Sequence, residues 1–336
     1  EISACLVGSE MCIRDRVHSA PGRTPNGGLA STLIKQDLID EYHLFVNPVV
    51  APAAGDSLDL VMPAPDSAIV ARLRAAGCVF AEDEARLLES AAGSPADLAA
   101  MVDRRVAGLP LEQVLGWAEF CGLRIAVDPG VFVPRRRTEF LVEQARALLP
   151  PRAVIVDLCC GAGAVGAALA SGLDQAELHA ADIDPAAVRC ARRNVAGPGG
   201  HVYQGDLYHP LPADLRGRVT VVVANVPYVP TGEIRFLPPE ARAHEPLVAL
   251  DGGPDGLEVL RRVAAGAPEW LAPGGHLLIE TSERQAPQAV AAFAASGLVP
   301  RVSASADLGA TVVAGQFPGA RGPAGLRASE AGEESP

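Results

Sequence analysis

Between Ala153 and Asp182 the chain runs strand, glycine turn, helix, strand, and that order leaves few folds open. Ala153-Val154-Ile155-Val156-Asp157 is a short unbroken apolar run ending in an acid. Such a run marks a parallel strand buried on both faces rather than an alternating strand with one wet face. Gly161-Ala162-Gly163 follows as a turn, Ala164 to Ser171 is small and helix-prone, and Ala176 to Ala181 is a second apolar run closed by Asp182. Parallel strands need a crossover, so these pieces form one βαβ unit. Glycines let the backbone approach a ligand, and an acid about 20 residues beyond the first glycine can accept both hydroxyls of a ribose.

The pattern continues downstream. A helix is predicted from Pro185 to Asn194, strands at His201–Gln204 and up to Asn225, a helix over Gly256–Trp270, a strand over His276–Glu280, and an antiparallel pair, Val299–Ala304 with Thr311–Gln316. Strands alternating with helices give an α/β, Rossmann-like domain whose ligand lies beyond the strand C-termini. Asp157, Asp182, Asp206 and Asn225 all fall at such ends. Gly161 to Gly166 is a literal G-x-G-x-x-G, so an NAD-dependent oxidoreductase is one reading. Asp157 argues against it: a carboxylate just before the glycines suits a cationic ligand better than a pyrophosphate.

After the apolar run Val219–Ala224 comes Asn225-Val226-Pro227-Tyr228. An amide nitrogen shares its lone pair with its carbonyl and is a poor nucleophile. Two acceptors, the Asn225 side-chain oxygen and the Val226 main-chain oxygen, can bind both hydrogens of an NH2 group and aim that lone pair at an electrophile. Pro227 biases Val226 toward extended geometry, which presets its carbonyl, and Tyr228 can stack on the amide plane. By itself the tetrapeptide also fits an ordinary turn; its position after the βαβ unit favours methyl transfer to nitrogen.

These residues together resemble the release-factor glutamine methyltransferases. The likeness runs from about Asp66 to Phe317 and is most specific at Pro134–Glu139, Asp157–Gly163, Asn225–Tyr228 and Glu245-Pro246 with Ala249–Leu257. Nucleic-acid adenine methyltransferases share the Asn-Pro-Pro-Tyr type of motif without that glycine-rich block. The resemblance implies a class I fold using S-adenosylmethionine. Asp157, Gly161 and Gly163 would line the methionine end, Asp182 the ribose and Asp206 the adenine side, while Asn225, Val226, Pro227 and Tyr228 hold the substrate. It implies N5-methylation of a protein glutamine, as in the Gly-Gly-Gln tip of peptide-chain release factors, with no metal. The alternative is an adenine N6-methyltransferase acting on RNA or DNA. Three departures mark a divergent branch: Val226 for a second proline, Cys159 for a first glycine in the donor turn, and Arg136-Arg137 for a proline and an acid.

Composition narrows the partners. The net charge is −12 and Lys35 is the only lysine, whereas a protein gripping duplex nucleic acid shows a basic stripe. Direct nucleic-acid contact is therefore not expected. The one dense basic spot, Arg135-Arg136-Arg137, reads as a solvated helix start. No apolar run is long enough to span a membrane, and the start lacks the basic n-region of a secretory signal, so a cytoplasmic enzyme is expected. The seven cysteines show no metal-ligand spacing and read as reduced thiols.

The predicted organisation has five parts. Residues 1–60 read as an artefact of assembly or fusion: Glu1 to Arg16 looks like adapter read-through, and Ser31 to Val50 resembles a fragment of a dihydrofolate-reductase-like or riboflavin-pathway reductase domain. Residues 61–115 are helical, with Ser94 capping a helix begun by Pro95; in the resembled family this part helps recognise the protein substrate. Residues 116–134 read as a β-hairpin linker turning around Asp128-Pro129-Gly130. The methyltransferase domain is expected over 135–318, and 319–336 as a disordered tail.

Overall fold

A computed structural model describes residues 64–318 except 198, together with an antiparallel hairpin of β1 (Ile2–Val7) and β2 (Glu10–Asp15). The readings of the reductase-like fragment and of the tail at 319–336 lie outside these residues.

Four helices open the chain from residue 67: α1 (Ser67–Ala75), α2 (Ala81–Ala91), α3 (Pro95–Val106) and α4 (Leu111–Leu115). The Asp66 side chain accepts from the Ala68 amide, and Ser94 accepts from the Asp97 amide at the start of α3. Each cap satisfies an amide that a helix start leaves without a partner. Val70, Leu73, Ala85, Leu88, Met101, Val102 and Val114 bury together as a core of their own.

A short hairpin follows, β3 (Trp117–Phe120) and β4 (Leu123–Ala126). Its turn is Cys121-Gly122, not Asp128-Pro129-Gly130. Both turn residues have positive φ, 50° and 73°, the left-handed pair that matches strand twist in a two-residue hairpin. Asp128 to Gly130 instead makes a separate turn beyond β4, with the Val131 amide donating to the Asp128 carbonyl.

The main sheet holds β5 (Arg152–Leu158), β6 (Gln175–Asp182), β7 (His201–Gln204), β8 (Val219–Ala224), β9 (Leu271–Thr281), β10 (Val299–Ser305) and β11 (Ala310–Gln316), in the order β10-β11-β9-β8-β5-β6-β7. β9, β8, β5, β6 and β7 are parallel; β10 and β11 close one edge antiparallel. Around it lie α5 (Glu139–Arg146), α6 (Ala164–Ser171), α7 (Pro185–Val195), the short α8 (Pro239–His244) and α9 (Leu247–Leu250), α10 (Glu258–Trp270) and α11 (Ala286–Ala295). Successive strand residues go to opposite faces. Ile155, Val221, Val223 and Leu278 pack with α5 and α6, while Val156, Val222, Leu277 and Ile279 pack with Val263, Trp270 and Phe293. Each buried Val, Leu or Ile stabilises by roughly 1.5–3 kcal/mol, so both faces of the sheet act as cores.

The strand expected at His276 starts earlier, at Leu271. Pro273-Gly274-Gly275 forms an irregularity inside β9, with the pairing to β8 shifting between Val219 and Val221. A Cβ on Gly275 would sit 2.8 Å from the Val219 carbonyl oxygen, so the strands touch there only because the residue is glycine. From β5 the chain builds outward through β6 to β7, then returns to β8 on the other side. The switch between β5 and β8 opens a crevice at the strand C-termini.

Candidate active site

That crevice is a cleft of about 1290 Å3, counted out to open solvent, lined by Asp157, Cys159, Gly161, Asp182, Asp206, Asn225, Val226, Pro227 and Tyr228 among others. Of the nine candidate catalytic and cofactor-binding residues, all but Gly163 line it. Gly163 acts one step back: at φ 76° it begins α6, and a Cβ there would press on Ala191 and Val195 at 3.1 and 3.2 Å.

The loop after β5 is fixed by its neighbours. The Asp182 carboxylate accepts from the Gly161 amide at 2.8 Å and from the Asp184 amide at 2.9 Å. The Asn194 amide group donates to the Ala162 carbonyl at 2.7 Å and to the Ala126 carbonyl at 2.9 Å. Asp157 is 1% exposed and accepts from the Gly166 amide at 2.8 Å. The third glycine of the pattern is thus a packing residue: a Cβ on Gly166 would meet Asp157 and Leu178 at 3.0 Å. Cys159 adopts φ 53°, a left-handed conformation that costs a side-chain-bearing residue roughly 1–2 kcal/mol. The turn keeps a glycine-like shape without the glycine.

Burial pushes the Asp157 carboxyl up to about 7, opposed by the Gly166 hydrogen bond and reinforced by Asp182. Burial also raises Asp182, against the pull of the backbone amides it accepts from. Two acids whose burial disfavours their charge, on a glycine loop facing open space, form a site that attracts cations. S-adenosylmethionine carries an ammonium and a sulfonium, and the residues fit it; a pyrophosphate would meet repulsion. A Cβ on Gly161 would touch nothing within 4 Å, which leaves room for a ligand against that backbone. Farther along, Asp206 pairs with Arg262 at 2.5 Å. Arg262 also lines the cleft; sequence reading passed over it because its partner lies 56 residues earlier.

At the end of β8, the Asn225 side-chain nitrogen donates to the Thr138 hydroxyl at 3.3 Å. Its oxygen takes no hydrogen bond from the described residues. Beside it, the Val226 carbonyl takes no hydrogen bond from the described residues. Asn225 and Val226 both line the cleft. Tyr228 is half-buried, with the Arg137 guanidinium 5.3 Å from its ring centre.

The arginine triplet does not start a helix in solvent. Arg135 is 5% exposed and pairs with buried Glu245 at 2.5 Å, while Arg137 pairs with buried Glu280 at 3.0 Å. The triplet enters a single turn of 3-10 helix, Arg136–Thr138, which places Thr138 under Asn225.

The glycine-rich block serves as the clamp on the Asn225 loop. The Val229 amide donates to the Leu250 carbonyl, and the Gly252 amide to the Val229 carbonyl. A Cβ on Gly252 would lie 2.7 Å from the Pro227 carbonyl oxygen, and one on Gly256 would lie 2.2 Å from that of Tyr228. Gln285 donates to the Tyr228 carbonyl at 3.0 Å and to that of Asp255 at 3.2 Å. Sequence reading gave no role to Thr138, Gln285 or Glu280, although Thr138 lies within the Pro134–Glu139 segment.

Residues 122–236 match the family model described as Methyltransferase small domain. The chain is 42% identical over 231 residues to the release factor glutamine methyltransferase of Mycolicibacterium smegmatis, covering 67% of this chain and 82% of that one. It is 39% identical over 209 residues to the protein of the same name from Geobacter sulfurreducens, covering 61% and 72%. The 4-amino-L-phenylalanine/4-methylamino-L-phenylalanine methyltransferase of Streptomyces pristinaespiralis is 38% identical over 203 residues, covering 58% and 69%. With this likeness and the cation-attracting cleft, the chain is a methyltransferase with S-adenosylmethionine as its cofactor, and it belongs to the release factor glutamine methyltransferase family.

Proposed function

We propose that this enzyme methylates the side-chain nitrogen of a protein glutamine, and that its substrate is the Gly-Gly-Gln glutamine of a peptide-chain release factor. The observation that carries this reading is the Asn225 amide. Its side chain meets the Thr138 hydroxyl at 3.3 Å and lines the cleft beside Val226, whose carbonyl takes no hydrogen bond from the described residues; the Asn225 oxygen and that carbonyl are read as the two acceptors.

The guest's two N–H groups would donate to these acceptors. Both acceptors are fixed before the guest arrives, so they stabilise positive charge developing on nitrogen more than they stabilise the neutral guest. S-adenosylmethionine, held along Asp157, Gly161 and Asp182, would supply an electrophilic methyl group and leave as a neutral thioether that keeps the S–C electron pair, while Asn225 and Val226 would aim the guest lone pair at that carbon. Val226 and Pro227 are buried and hold the carbonyl direction. Tyr228 closes one side of the guest's plane. The nitrogen then loses a proton to solvent, and no side chain of the site is required as a base.

The clamp on residues 225–229 and the kinship with the Mycolicibacterium and Geobacter enzymes support this substrate class. The departures at Val226, Cys159 and Arg136-Arg137 are read as marking a divergent branch within it. The test is mass spectrometry of a release factor incubated with enzyme and donor, with 4-amino-L-phenylalanine and RNA as parallel substrates. One added methyl on the Gly-Gly-Gln glutamine is the expected result. Transfer to the small amine or to RNA, with an unmodified release factor, overturns it.

A further inference from the structure

We propose that Arg137 and Glu280 form a charge-compensated positioning pair behind Tyr228, in which Glu280 prevents Arg137 from opposing the charge that develops on the guest nitrogen. This rests on the glutamine reading of the same site.

The guanidinium carbon of Arg137 lies 5.3 Å from the centre of the Tyr228 ring. One face of that ring is thereby covered, and a planar guest has the other. A cation against a ring draws its π density toward itself, leaving the opposite face less able to stabilise positive charge. In methyl transfer positive charge builds on nitrogen, so an uncompensated Arg137 would raise the transition state more than the neutral bound guest.

Glu280 supplies the compensation. Its Oε1 lies 3.0 Å from Arg137 Nε, with side chains 3% and 11% exposed, so water screens the pair little. The contact is coulombic: neither Glu280 oxygen, nor Arg137 Nε, has a hydrogen-bond partner among the described residues. Position fits the role as well. Ile279 pairs with Ala224, so Glu280 stands one step along, beside the strand end where Asn225 begins.

The experiment compares wild type, Glu280→Gln, Arg137→Met and the double variant on a Gly-Gly-Gln release factor at saturating donor. It measures kcat, KM, calorimetric affinity for the release factor and melting temperature. Glu280→Gln is expected to lower kcat about tenfold while KM and affinity stay within about twofold, because the lost interaction acts only on the transition state. Adding Arg137→Met removes the stranded cation and returns kcat to within about threefold of wild type, a coupling that two independent packing losses would not give. Should Glu280→Gln alone fail to fold, the double variant against Arg137→Met decides by the same comparison. Unchanged kcat in Glu280→Gln, or a double variant no better than the worse single, overturns the pair's role while leaving the glutamine reading intact. A wild type that adds no methyl to the release factor removes both.

Discussion

At the level of single residues, the site depends on which atom of an amide faces the cleft. Thr138 meets the Asn225 amide at 3.3 Å, and in the proposed function the oxygen of that amide holds the guest. Asn225→Ala is expected to lower kcat by about 100-fold or more, the scale of losing one fixed transition-state contact, with donor affinity unchanged by calorimetry. Thr138→Val should cost less, about tenfold, because Asn225 is freed rather than removed. Asp157 gives the pH dependence. Its carboxyl sits at about 7 in the donor-free protein, and a bound cation favours the ionised form. Donor affinity should therefore be full above about pH 7 and fall as pH drops through it, approaching tenfold per unit. Calorimetric titrations from pH 6 to 8 check this, and Asp157→Asn should flatten the profile. The acids and Asn225 were legible in the sequence because each falls at a strand end. Arg135 and Arg137 were misread, since a charge triplet looks solvated when its partners, Glu245 and Glu280, lie more than a hundred residues away.

Among elements, the parallel strands were the most legible, because burial on both faces leaves unbroken apolar runs such as Val219–Ala224. The hairpin turn was not. Asp128-Pro129-Gly130 has the composition of a turn, whereas Cys121 reaches positive φ with nothing in its chemistry to announce it. The Ala249–Leu257 block was visible as a motif but its work was not, since that work is contact with a loop some 25 residues earlier. Gly256 shows what is at stake: φ is 74° and a Cβ would overlap the Tyr228 carbonyl. Gly256→Ala is expected to destabilise by about 2–4 kcal/mol. It should also cut turnover while sparing donor affinity, because the clamp touches the guest loop and not the glycine turn. Thermal melting and donor calorimetry on one preparation separate the two effects.

Across the whole molecule, the helical unit of α1–α4 is tied to the catalytic domain by a buried triad. Arg105 pairs with Glu84 at 2.6 Å and with Glu240, on α8, at 2.8 Å. Two carboxylates share one cation, and burial pushes Glu240 up to about 8, partly offset by Arg105 and added to by Glu112 and Glu84. A folded pKa above the unfolded value means stability is lost as pH rises through about 8. Glu240→Gln cannot ionise, so the melting temperature of the variant minus that of wild type should become more positive from pH 6 to pH 9. A flat difference would show that Glu240 does not titrate in the fold. None of this was readable beforehand, because the triad joins residues 84, 105 and 240 only once both parts have folded. Among the described residues no helix is long and apolar enough to cross a membrane.

Both oxygens of Asp182 are already engaged by the Gly161 and Asp184 amides before any donor arrives. The loop is therefore set in advance, and capture of the donor need not wait for backbone to organise. Its heat-capacity change should reflect the ligand's own desolvated surface, free of any folding contribution.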